Sequence, residues 1–173
     1  MPDRRSAAEE IARSGGHLAL DYFRKLDTLA VEEKGAQDFV TIADRAVEEH
    51  IRDLITTRFP DDGILGEEHA PKPSQSGYTW VIDPIDGTAN FINAIPVWCV
   101  VIAVVADDKT QISTTYDPVH DEMFAAARGE GATLNGASLT CPADTQISRG
   151  TVAVGLSGRS DINDTLALMR AIL

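Results

Sequence analysis

The sequence predicts an α+β fold, on three observations. Two helix-periodic segments occupy the chain up to Arg58. Short strand-sized runs follow, joined by turn residues rather than by helices, which argues for hairpins and a mainly antiparallel sheet instead of βαβ units. The length, 173 residues with 43% hydrophobic and 24% charged, suffices for a real core.

The elements follow in order. Residues from about Arg4 to Arg24 read as a helix, with Ala8, Ile11 and Ala12 on one face and Leu18 and Tyr22 a step further. Gly15-Gly16 weakens its middle. VEEKGAQDF reads as a loop or hairpin. Thr41 to Arg58 is a second helix, with Ile42, Val47, Ile51, Leu54 and Ile55 inward, stopped by Phe59-Pro60-Asp61-Asp62-Gly63. Ile64-Leu65 is a short strand running into Gly66-Glu67-Glu68, and residues 71–77 are a polar loop. Tyr78 to Ile82 is a strand that ends in a proline-stiffened turn. Val97 to Val105 is a buried strand, ADDKT a turn, and Gln111 to Tyr116 and Glu122 to Ala127 are strands around DPVHD. RGEGATLNGASL is a small hairpin turning at Asn135-Gly136. Thr151 to Val154 is a further strand. Ser160 caps a last helix with Ile162, Leu166 and Met169 inward.

Composition excludes some functions. The net charge of −12 argues against nucleic acid as a partner, because phosphate backbones attract basic surfaces. No apolar run reaches membrane-spanning length, and the N-terminus has no continuous apolar segment of the secretory kind. The two cysteines, Cys99 and Cys141, lack metal-type spacing and fit a reduced cytoplasmic chain. His17, His50, His69 and His120 are scattered, without the helical spacing of a metal site. Ser157 in GLSGR mimics a nucleophile motif without supporting residues nearby.

The chemistry concentrates in WVIDPIDGTANF, Trp80 to Phe91. Asp83 and Asp86 are hard oxygen donors suited to Mg²⁺. Pro84 fixes φ between them, and such a turn can present the Ile85 carbonyl as a neutral ligand. Gly87 permits close backbone approach, and the amides opening GTANFIN favour an anion such as phosphate. Cations on carboxylates with phosphate on amides are the parts of a metal-assisted phosphatase. A bare DPxDG is equally the composition of an exposed turn. Glu67-Glu68 after a strand, and Asp38 and Asp44 flanking FVTIA, weigh against that reading.

These ordered motifs resemble the inositol monophosphatase family. Gly66-Glu67-Glu68, then Asp83-Pro84-Ile85-Asp86-Gly87-Thr88 with Asn90-Phe91, carry the resemblance. Upstream, Lys34 and DFVTIAD (Asp38 to Asp44) are similar to the family's D-x-V-T-x-x-D, and downstream YDPVHDEMFAAARGEGATLNG is similar to its hairpin segment. The resemblance implies a layered α/β sandwich of the sugar-phosphatase type. It also implies a Mg²⁺-dependent, lithium-sensitive phosphomonoesterase, with two or three ions that Mn²⁺ can replace, acting as a cytoplasmic homodimer without membrane or nucleic-acid partners. Carried over by position, Glu67, Asp83 and the Ile85 carbonyl hold the first metal. Asp83 and Asp86 share the second, and Glu67 joins a third through waters. Asp44 and Thr88 position the attacking water and Glu68 helps orient it. Asp86, Gly87, Thr88 and Ala89 contact the substrate, its phosphate on the Gly87 and Thr88 amides, and Lys34 lies in a loop that folds over the site.

The chain also departs from that pattern. The family carries a later W-D-x-A-A-G-like segment whose aspartate completes the second metal site. Here Trp80 and Trp98 are followed by Val81 and Cys99. The chain therefore resembles an amino-terminal portion, with residues 1–140 as a metal and phosphate domain and 141–173 as the start of a second. Inositol monophosphate or a similar ester is the expected substrate. Histidinol phosphate, a nucleoside bisphosphate or a sugar bisphosphate is the alternative within the same chemistry. A catalytically weak metal-binding fragment, or a regulatory or assembly module, is the alternative of another class.

Overall fold

A computed structural model of the protein describes residues 3–26, 31–33, 39–141 and 161–172. Lys34, Asp38, Ser160 and the expected strand Thr151 to Val154 lie outside the described residues. The chain divides into two units, Met1–Leu139 and Thr140–Leu173.

In the first unit, helix α1 spans Arg4–Phe23, started by the Asp3 side chain accepting from the Arg5 amide at 2.9 Å. Its glycine pair does not interrupt it. A Cβ on Gly15 would stand 2.8 Å from the Ile51 side chain, and one on Gly16 would overlap the Tyr116 ring. The bare backbone is what lets α1 lie against a second helix and a strand at once. That helix, α2, spans Ile42–Arg58 and buries Val47, Ile51 and Ile55. Ile42 departs from the expected inward face: it is 51% exposed, since it opens the helix before any core element covers it. Ahead of α2, β1 (Val31–Glu33) and β2 (Phe39–Thr41) pair antiparallel.

Seven strands form the main sheet, adjacent in space as in sequence. They are β3 (Gly63–Leu65), β4 (Tyr78–Asp86), β5 (Cys99–Ala106), β6 (Lys109–Asp117), β7 (Glu122–Ala127), β8 (Gly131–Leu134) and β9 (Ala137–Leu139). Among the described residues, β3 and β4 run parallel and the other pairs of this sheet antiparallel. Helix α1 packs on β5 and β6 and α2 on β4, with Trp80, Ile82, Ile102, Val104 and Tyr116 buried beneath them. Asn135-Gly136 turns the last hairpin with φ of 48° and 80°, and Asp107-Asp108 turns β5 into β6 with 51° and 55°. Two consecutive positive φ values match the twist of the flanking strands.

One difference from the sequence reading bears on function. The strand beginning at Tyr78 does not stop at Ile82 in a turn; it continues to Asp86. Asp83 lies opposite Val101 and Asp86 opposite Cys99, so β4 carries one residue more than β5 over this stretch. The extra residue makes a bulge, and Pro84, which has no N–H to give the ladder, fits there.

In the second unit, α4 spans Ile162–Ile172. Its cap is Asp161, whose carboxylate accepts from the Asn163 amide at 2.8 Å. The periodicity places Ile162, Leu166 and Met169 inward, yet they are 57%, 44% and 36% exposed. An apolar face is buried only where an apposed apolar surface meets it, and the described residues of this unit supply none.

Candidate active site

The site forms where β4 bulges. Because β3 runs parallel to β4 with Leu65 opposite Val81, the chain leaving β3 at Gly66 emerges beside Ile82 and Asp83. This brings Glu67 to the bulge. Asp44, in the first turn of α2, is buried, and α2 packs on β4. The effect is legible in Asp83, whose carboxyl is pushed from 3.8 to about 7. Burial is the largest cause, followed by the negative charges of Glu67, Asp86 and Asp44; a hydrogen bond from the Ile85 amide pulls the other way. Three carboxylates, from β4, α2 and the loop after β3, therefore act on Asp83 here.

Beyond the bulge, Gly87 adopts φ 91°. A Cβ there would lie 3.1 Å from the Val97 carbonyl and 3.3 Å from the Trp98 Cα, so the position needs glycine for both conformation and space. Helix α3, Thr88–Ile92, is five residues long. Phe91 fastens it to the core between Phe23 and Trp98, with ring centroids 5.2 and 4.9 Å away. The Thr88 hydroxyl donates to the Ile85 carbonyl at 2.9 Å, tying helix to bulge. Ala89 is exposed. The Glu68 carboxylate lies 3.7 Å from the Arg45 guanidinium.

Some residues of this region escaped the sequence reading. The Cys99 thiol donates to Asp86 at 3.8 Å and is pushed up to about 12 by burial and then by Asp86 and Asp83, so it stays protonated at neutral pH. Asp86, Gly87, Trp98, Cys99, Thr115 and Asp117 line part of an open cleft of about 390 Å³ beside the carboxylates. Glu48 is fully buried on α2 and accepts from the Glu68 amide at 2.7 Å. A periodic pattern marks apolar faces and gives no sign that a glutamate is buried.

The donor set fits a hard cation. Clustered carboxylate oxygens with one half-buried, proton-retaining member are what Mg²⁺ or Mn²⁺ would neutralise. Among the described residues, no three His, Cys, Asp or Glu side chains are already gathered into a cage. They are close enough to repel, and an ion would have to draw them together.

A model of the inositol monophosphatase family matches residues 2–171. The histidinol-phosphatase of Chlorobaculum parvum is 42% identical over 145 residues, covering 84% of this chain and 56% of that protein. In structure, the extragenic suppressor protein suhB of Bartonella henselae matches with a TM-score of 0.79 and 31% identity, over 82% of this chain and 55% of that one. An IMPase/NADP phosphatase solved with Mg²⁺ and phosphate matches with a TM-score of 0.65 and 27% identity, over 75% and 51%. The chain spans about half the length of the curated relatives it matches.

Proposed function

The chain belongs to the inositol monophosphatase family, and on that premise we propose that it is the metal- and phosphate-binding part of a Mg²⁺-dependent phosphomonoesterase. Its substrate is inositol monophosphate or a similar small phosphate ester, with histidinol phosphate or a bisphosphate the alternative in the same chemistry. One observation carries the reading: burial first, and then the charges of Glu67, Asp86 and Asp44, push the Asp83 carboxyl up to about 7 beside the β4 bulge. Residues 1–140 make up the metal and phosphate domain, and 141–173 open the second.

Glu67, Asp83 and the Ile85 carbonyl would hold one ion, and Asp83 with Asp86 a second. When bound, the metal supplies Lewis acidity toward the phosphoryl oxygens and activates a water. The rest falls to the chain itself. The Thr88 hydroxyl spends its proton on the Ile85 carbonyl, so it offers a water its lone pairs, and a water held there is oriented. The Asp44 carboxylate takes the other side of that water, and Glu68 steadies it. The Gly87 and Thr88 amides meet the phosphate, with Asp86 and Ala89 at its border. The free thiols Cys99 and Cys141 suit a reducing cytoplasm. We place the working form there as a homodimer sensitive to lithium.

Titration calorimetry of the chain with Mg²⁺ and Mn²⁺ tests the reading, alongside phosphate release from inositol monophosphate, histidinol phosphate and an aryl phosphate. Binding that Asp83→Asn largely abolishes is expected. Equal binding by that variant, or none by the parent, would overturn the assignment. Binding without any phosphate release would favour the metal-binding module instead.

A further inference from the structure

We propose that Glu48 is the positioning residue that sets the Glu67-Glu68 pair, acting through the Glu68 backbone. The inference rests on the reading of Glu67 as a metal ligand.

Glu48 sits one turn after Asp44 on α2 and is fully buried. A buried carboxylate is costly unless each of its oxygens finds partners. One oxygen accepts from Arg52 Nη1 at 3.2 Å and lies 3.3 Å from His69 Nδ1. The other accepts from the Glu68 amide at 2.7 Å. Arg52, the same element's next turn, also donates to the Ala70 carbonyl at 2.7 Å, so the helix grips the loop on both sides of His69.

The fit is confirmed from the loop's side. Gly66 presses on the Glu48 carboxylate so closely that an added Cβ would collide with both its oxygens. Glycine at 66 is what allows the backbone to reach the carboxylate. Loop residues 66–70 carry no strand pairing of their own, so their path is set by such contacts. A carboxylate–amide bond is stronger than a neutral one, and this one is anchored in a helix core. It ties the loop to α2, the helix that also carries Asp44. Glu48 touches neither substrate nor metal in this scheme. It fixes where the next-door donors stand.

Three variants of the chain test this: Glu48→Ala, Glu48→Gln and Gly66→Ala. Glutamine keeps an acceptor for the Glu68 amide while losing the charge. Two readouts are taken on folded, metal-free and Mn²⁺-titrated samples: exchange of the Glu68 amide by NMR, and Mn²⁺ affinity by calorimetry. In Glu48→Ala and Gly66→Ala, Glu68 amide exchange should quicken at least about tenfold, the equivalent of 1.4 kcal/mol, while core amides of α1 keep their protection. Mn²⁺ affinity should fall by about tenfold or more in those two and stay within about threefold of the parent in Glu48→Gln. An equal loss in Glu48→Gln and Glu48→Ala would overturn the proposal, because the buried charge would then act on the ion directly. Unchanged exchange at Glu68 in Glu48→Ala would overturn it as well. If the parent binds no Mn²⁺, the metal reading falls; the amide exchange still decides whether Glu48 holds the loop.

Discussion

Replacing Asp83 by Asn should stabilise the metal-free protein at alkaline pH and destroy its response to metal. The carboxyl binds its proton more tightly in the folded chain, near pH 7, than at its ordinary 3.8. Its contribution to stability is therefore complete below about pH 4. It declines as the pH rises toward 7 and levels off above. At pH 8 without metal, the ionised Asp83 costs at most about 4 kcal/mol, at 1.36 kcal/mol for each pH unit. If relaxation of the neighbouring carboxylates absorbs half, about 2 kcal/mol remains, or roughly 4–8 °C in Tm for a chain of this size. Asn removes the charge and keeps an acceptor for the Ile85 amide. In chelator at pH 8 the variant should melt higher than the parent by that margin, and the two should converge near pH 4. Added Mg²⁺ should reverse the order, raising the parent by about 2.7 kcal/mol at a hundredfold excess over Kd and leaving the variant unmoved. Thermal melts followed by circular dichroism measure both. A variant that melts lower than the parent in chelator at pH 8, or a gap that does not close on acidification, would refute the reasoning.

Other outcomes follow from particular contacts. Asp62 is buried and holds Arg4 through two bonds of 2.9 Å, Ser76, and the Trp80 indole at 2.8 Å. Asp62→Ala leaves a buried indole N–H and a guanidinium unpaired and should cost about 3 kcal/mol by urea denaturation. Burial pushes the Asp62 carboxyl up, but the hydrogen bonds from Arg4, Ser76 and Trp80 outweigh it and hold it below its ordinary value. Its stabilisation is thus present above the ordinary carboxylate range and lost as pH falls through the lowered value, so the parent should lose more stability than Asp62→Ala on acidification. Gly16→Ala forces a methyl into the Tyr116 ring and should lower stability by about 1–3 kcal/mol, read as a lower Tm. Thr88→Ala should leave Mn²⁺ affinity within about threefold of the parent while lowering phosphate release by about 10²–10⁴-fold; near-normal release would reduce Thr88 to a tie between α3 and the bulge.

Among the described residues, the sequence by itself determined the two long helices and the order of the main-sheet strands, and it proposed the chemistry of the motif. Periodicity located α1 and α2 because each buries one continuous face. Asn135-Gly136 marked its turn because both residues tolerate positive φ. Asp83, Asp86 and Gly87-Thr88 announced hard donors beside an anion-tolerant backbone, since those properties belong to the residues themselves. What tertiary structure decided is everything that depends on two segments meeting. Gly15-Gly16 reads as a weakness along the chain and becomes a packing surface only when Ile51 and Tyr116 arrive. Pro84 reads as a turn and sits in a strand, because β5 offers a ladder through Asp86 that a bulge can accommodate. Asp44 and Asp83 influence each other only because α2 lies on β4. Glu48 looks like any solvated charge on a helix, and only the loop from Gly66 to Ala70 folding back on it, with Arg52 beside it, makes it a buried anchor. Local sequence sets what each residue can do; which charges share a low-dielectric space is fixed by packing.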